Sequence, residues 1–415
     1  MLKAIPRASV DLKNSEVLSV MFQQVNIKKS SNNTRVPEFE KSFAKYIGTK
    51  DAVSFPMCRS GMYFTLKALN FNKGDEVILP AFTFWVDAAM VLMAGLSPIF
   101  VDVQFDTATI DPGKIEEAIT SKTKAIFLTH LNGLPAEMDP IMDIARRHNL
   151  RVIEDCARSC GATYKNKRIG SFDIGAFSFG YGKSFYGFGG GMVTSDDEDL
   201  IESLRQIKKG FNRIKAKDLR FQTVKGIILR YANIPLLYRF SLYQLVYQYH
   251  VKMNEKYASL FRVKMPFYDT VPESFMIDFN NLQAKMGFKQ LERIDYTNKR
   301  RMENASILNQ ELSGIPGLIP PASFSDREHV AVHYAIWTER KKELQDFLIK
   351  NRIDAQDETA VDTTSLERFK PYVEGEFPNS KMLHNRLIFI PTHPYLKKKN
   401  ILYMAQKVKE FFEVS

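Results

Sequence analysis

Cysteine is scarce: Cys58, Cys156 and Cys160 are the only three in 415 residues. Three thiols cannot build a disulfide framework, and none forms the paired CxxC spacing of a structural zinc site, so a reducing compartment and no metal centre are expected. Long apolar runs are also missing. No stretch of about 18 apolar residues could span a bilayer. The opening MLKAIPRASVDLKNSEVLSVMF has neither the continuous apolar segment of a secretory signal nor the character of a transit peptide. Gly (21) and Pro (18) are near average usage, and the hydrophobic share of 45% is that of a folded chain, so collagen-like, linker-dominated and disordered readings fall away.

Acidic residues are nearly absent from one segment. Between Arg205 and Lys264, fourteen Lys and Arg face only Asp218 and Glu255, a net +12 that accounts for the whole +11 of the chain. The same segment is rich in aromatics. Its stretch RYANIPLLYRFSLYQLVYQYHVK (230–252) repeats Leu236, Leu237, Phe240, Tyr243 and Tyr247 at helical spacing.

Before it, from about Glu38 to Asp199, amphipathic helical patterns alternate with short apolar runs: EVILP (76–80), SPIFVDV (97–103), KAIFLTH (124–130) and RVIED (151–155). This alternation predicts an α/β domain with a parallel sheet covered by helices on both faces. After it, HVAVHYAIW (329–337) and NRLIFIP (385–391) read as strands, and KKELQDFLIKN (341–351) and ILYMAQKVKEFF (401–412) as helices of a smaller α/β domain. The predicted organisation is a large domain (1–204), a basic aromatic-rich helical insert (205–265) and a connecting helix with a small C-terminal domain (266–415).

The chemistry is concentrated in residues 153–200. Asp155 ends an apolar run, and the carboxyl ends of parallel strands are where such sheets bind ligands. Lys183 follows in a stretch crowded with glycines, whose backbone can approach a bound group closely. A strand-end carboxylate with a loop lysine suits a cofactor carrying one cationic nitrogen and one aldehyde, and pyridoxal 5′-phosphate has both. MCRSGMYF (57–64) opens a helix whose first amides would suit its phosphate, and Ser178 can add a hydroxyl.

These residues lie within blocks that, in order, resemble the pyridoxal-phosphate sugar aminotransferases of the DegT/DnrJ/StrS type. The blocks include VPEFEKSFAKYIGTKDAV (36–53), GDEVILPAFTF (74–84), VIEDCARSCGATYKNKRIGSFDIGAFSF (152–179), GGGMVTSDD (189–197), LQAKMGFKQLERID (282–295) and IPTHPYL (390–396). The resemblance implies a fold-type I architecture with a mixed, mostly parallel sheet, and a homodimer. It implies Lys183 as the Schiff-base lysine and Asp155 as the partner of the pyridine nitrogen. Phe84 would stack on the ring, while Cys58, Arg59 and Ser178 would hold the phosphate. The implied reaction moves an amino group from a donor such as glutamate to a keto sugar carried on a nucleotide, in polysaccharide or glycolipid assembly.

Three departures bear on the substrate. Cys156-Ala157-Arg158-Ser159-Cys160 replaces the usual Ala-Ala-Gln-Ala-His run, placing the cation of Arg158 near the cofactor. Met57-Cys58-Arg59 replaces Ser-Gly-Thr, and Met276-Ile277-Asp278-Phe279-Asn280 replaces an Asn-x-Arg-x-Ser element directed at the partner subunit. Two alternatives therefore stay open: an enzyme acting on a lipid-linked acceptor, and a non-catalytic, membrane-attached regulatory protein that keeps the fold.

For the insert, three readings stand: a solvated segment packing on the dimer, a cationic landing place for the substrate's diphosphate, or an anchor on an anionic membrane. Nucleic acid is not expected, because the segment is too apolar to track phosphates. The expected location is the cytoplasm, with the membrane's inner face as its extension.

Overall fold

The computed structural model describes residues 3–23, 27–257, 268, 270–356 and 360–413. Positions 258–265, the end of the predicted insert, lie outside the described residues.

Seven strands form the main sheet: β1 (Asp51–Phe55), β2 (Glu76–Pro80), β3 (Ser97–Val101), β4 (Thr123–Thr129), β5 (Arg151–Asp155), β6 (Ile174–Ser178) and β7 (Gly191–Ser195). Their order is β1-β7-β6-β5-β4-β2-β3. The strands read as unbroken apolar runs because both faces are buried. Along β4, Ala125 and Phe127 join one core with the helices Cys58–Ala68 and Val86–Met93, while Ile126 and Leu128 join another with the helix Met138–Arg147.

The parallel pattern predicted for 38–199 holds for β2 to β6. Strand β7 departs from it, running antiparallel between β1 and β6. The reason is the connection: residues 179–190 form a glycine-rich loop with no crossover helix, so the chain turns straight back.

In the C-terminal region β8 (His333–Trp337) pairs antiparallel with β9 (Leu387–Pro391). The pair packs on the helices Ile294–Leu312, Lys341–Lys350 and Lys398–Glu413 through Leu308, Leu348, Ile388 and Met404. The strand expected from residue 329 begins only at His333, because the amides of Val330 and Val332 are spent on the carbonyls of Gly133 and Asn132.

The insert, expected to be helical, holds three α-helices among the described residues: Ala216–Ala232, Pro235–Phe240 and Leu242–His250. Pro235 starts the second, where its missing N–H costs nothing, and Ser241 breaks it from the third with a non-helical backbone. The first buries Leu219, Thr223 and Gly226. Gly226 allows a close approach, since a Cβ there would lie 2.5 Å from the Phe188 ring and the Tyr186 hydroxyl. Among the described residues no helix is long and apolar enough to cross a membrane.

Candidate active site

Strand β5 delivers Asp155 to the end of the sheet. The carboxylate is buried, and its Oδ1 accepts the amide of Ala157 at 2.8 Å, fixing the turn that follows; no helix begins there. The glycine-rich loop brings Lys183 to the same place. Phe179 closes the loop's neck, exchanging backbone bonds with Gly190, Gly187 and Gly189, and Phe185 anchors its middle against Phe179, 4.5 Å between ring centres. Lys183 Nζ lies 5.8 Å from the centre of the Phe84 ring.

Two cavities meet at this point. The larger, about 1180 Å3, is lined by Cys58, Arg59, Phe84, Asp87, Asp155, Ser178 and Lys183. Its rim comes from the insert, through Asn212, Arg213, Lys215, Asp218 and Gln222, and from Met276, Ile277, Asp278 and Asn280. The smaller, about 340 Å3, shares Phe84, Asp155 and Lys183 and adds Arg7, Arg158, His333 and Gln356. Six of the seven residues singled out in the sequence thus face the larger cavity, and Arg158 faces only the smaller one.

Strand β1 leads into the helix Cys58–Ala68 through Met57, which bridges to Gly190. The Ser60 hydroxyl bonds back to the Met57 carbonyl at 2.8 Å, and the first-turn amides of Cys58 and Arg59 have no partner within the helix, the arrangement that suits an anion. Gly191 makes room for this helix start, since a Cβ there would come within 2.5 Å of the Cys58 nitrogen.

Burial governs the charges. It lowers the Lys183 ammonium to about 8, helped by the cation of Arg158 and opposed by Asp155. It also raises Asp155, against the pull of Lys183. Asp155 is therefore a carboxylate whose charge this pocket favours only when a cation lies against it.

Sequence reasoning overlooked Asp87. Its Oδ2 accepts the hydroxyls of Thr129 (2.9 Å) and Thr83 (3.1 Å), while Oδ1 is buried without a hydrogen-bond partner. Burial and the neighbouring Asp155 push its pKa well up. The signal was present as one acid in the otherwise apolar WVDAAMVLM (85–93).

The structure does bring His130, Glu154 and Cys156 together, with ligating atoms within 4.8 Å of one another. The histidine and the carboxylate are already committed. His130 Nδ1 accepts the Ala136 amide, Nε2 donates to Glu154 at 3.0 Å, and Glu154 also accepts the amides of Gly170 and Phe172. The arrangement braces the loop after β4 rather than offering an open ligand set.

The sequence matches the DegT/DnrJ/EryC1/StrS aminotransferase family over residues 14–409. It is 30% identical over 395 residues to the spore coat polysaccharide biosynthesis protein SpsC of Bacillus subtilis, covering 92% of this chain and 90% of that protein. It is 28% identical over 379 residues to the dTDP-3-amino-3,4,6-trideoxy-alpha-D-glucose transaminase of Streptomyces venezuelae, covering 90% and 86%. The solved aminotransferase from Psychrobacter cryohalolentis superimposes with a TM-score of 0.78 at 25% identity, over 99% of both chains.

Proposed function

The chain belongs to the DegT/DnrJ/EryC1/StrS aminotransferase family, and from that premise we propose that it is a pyridoxal-phosphate enzyme aminating a keto sugar carried on a nucleotide, with glutamate as donor. The observation that carries this is the meeting of the Lys183 amine, the Asp155 carboxylate and an open helix start at Cys58 around one cavity. The residues suit the cofactor: a lowered amine for its aldehyde, a buried carboxylate in want of a cation, amides for its phosphate, and an unsatisfied Asp87 oxygen at the wall.

When bound, the cofactor supplies an aldehyde for the incoming amine and a ring that withdraws electrons from the substrate carbon. The chain does the rest. Asp155 holds a proton at the ring nitrogen, Phe84 covers one face, and the amides of Cys58 and Arg59 with the Ser178 hydroxyl bind phosphate. Lys183 Nζ, with a pKa near the working pH, moves the proton at the substrate carbon. The room beyond, about 1180 Å3 with Arg59, Arg213 and Lys215 on its wall, suits a sugar joined to a diphosphate. The purified enzyme is expected to show the visible band of its cofactor, to lose it with glutamate, and to regain it with a nucleotide-linked keto hexose. A band that no amino donor bleaches would favour the non-catalytic reading.

The enzyme is taken to work as a cytoplasmic homodimer docked on the anionic inner face of the membrane. Support comes from the outer side of the helix Ala216–Ala232, where Phe221, Val224, Ile228 and Tyr231 form one exposed row, Phe221 being 71% exposed. The row is flanked by Lys217, Arg220 and Lys225, which suit anionic headgroups. The neighbouring helix Asn14–Gln23 adds Leu18, Met21 and Phe22, and its Val17 and Val20 pack in one cluster with Ile227 and Leu229. Co-sedimentation with vesicles containing phosphatidylglycerol is expected to weaken with salt and to fall at least tenfold in F221D/I228D. Equal binding to neutral vesicles counts against the idea, and a variant that turns monomeric would assign the face to a second copy.

A further inference from the structure

The smaller cavity contains a cation that the reaction as described leaves unused. Arg7, on its wall, is neutralised by a two-pronged pair with Asp354, Nε to Oδ2 at 2.8 Å and Nη2 to Oδ1 at 2.7 Å. Arg158 has no such partner. Among the described residues its one hydrogen bond runs from Nη1 to His333 Nδ1 at 3.0 Å. A guanidinium only donates, so His333 accepts at Nδ1 and carries its proton at Nε2; the Gln356 amide beside Nε2, 2.7 Å away, then has to turn its carbonyl oxygen to that proton, because its NH2 group only donates. Burial and the charge of Arg158 both keep the imidazole neutral. His333 thus holds the guanidinium without cancelling its charge, and Arg158 lines the cavity beside Lys183.

A planar fork with free donors is the complement of a carboxylate. The space, about 340 Å3, is enough for a five-carbon acid. Resting on the aminotransferase reading, we propose that Arg158 seats a carboxylate of the amino donor and of the 2-oxo acid it becomes, with His333 and Gln356 as positioning residues. The two half-reactions then draw on different walls: the sugar nucleotide on the large cavity, the donor on the small one.

The test uses the cofactor-loaded enzyme and succinate, which has neither amine nor ketone and so binds without reacting. Calorimetry is expected to show succinate affinity reduced tenfold or more in Arg158→Gln. The glutamate concentration giving half the maximal bleaching rate should rise by a similar factor while that maximal rate changes less than threefold. Arg158→Lys, which keeps the charge and loses the fork, is expected to fall between and also serves if the Gln variant folds poorly. Unchanged succinate affinity in both variants would overturn the assignment. So would a loss confined to glucuronate, which places the carboxylate on a sugar, or a change confined to the cofactor band. A wild-type protein that takes up no pyridoxal phosphate defeats the functional reading instead, and is recognised before any titration.

Discussion

Lys183→Ala is expected to abolish covalent capture of pyridoxal phosphate: after borohydride treatment the wild type gains the mass of the reduced cofactor, and the variant gains none. Loss of the amine also removes the base at the substrate carbon, so transamination should fall by roughly 10³- to 10⁴-fold. The fold is not expected to suffer. Burial lowers the Lys183 pKa from 10.5 to about 8, which means the pocket disfavours the ammonium. The unfolded chain therefore binds more protons between those two values, and the penalty on the folded form is fully present below about 8. Alanine removes that penalty, so at neutral pH the cofactor-free variant should melt no lower than the wild type. The same shift sets a pH dependence for the native protein. Only the neutral amine attacks the aldehyde, so capture by cofactor-free enzyme should rise with pH through a midpoint near 8 and level off above it. A borohydride adduct that persists in the variant would place the attachment elsewhere.

Asp155→Asn isolates charge from shape. The asparagine carbonyl can still accept the Ala157 amide that Oδ1 accepts now at 2.8 Å, so the turn after β5 should survive, and cofactor should still bind. What disappears is the negative charge that keeps a proton on the ring nitrogen. Stabilisation of this kind is worth roughly 10²- to 10³-fold, and the loss should appear in kcat with the half-saturating glutamate concentration little changed. A variant as fast as the wild type would mean that Asp155 is structural, and would turn attention to Asp87.

How far the sequence carries is best seen in particular elements. EVILP and RVIED mark β2 and β5 to the residue, because strands buried on both faces leave unbroken apolar runs with clear ends. The reversal of β7 was not legible. GGGMVTS has the same composition as a parallel strand would, and only the missing crossover before it sets its direction. The glycine-rich loop and the strand-end acid could be found because their chemistry is local. Asp87 left only the trace of one acid in an apolar stretch, and Arg7, His333 and Gln356 left none, because each comes from a distant part of the chain and only packing brings it to Lys183. The insert was legible as basic, aromatic and helical, yet the sequence does not say that Asn212 would bond to Met276 and Asp278 and so wall the cavity. Backbone pairings of that kind leave no mark on composition.

The helix Ala216–Ala232 has two duties set by its pitch. One side holds Gly226 against Phe188 and sends the Gln222 amide to the Phe188 carbonyl, gripping the loop that carries Lys183; the other side shows Phe221 and Ile228 to the surroundings. An engineer who deletes this helix to obtain a better-behaved protein would also strip the seat from beneath the loop of Lys183. Point changes on the outer row are the safer route, since they leave the inner grip in place.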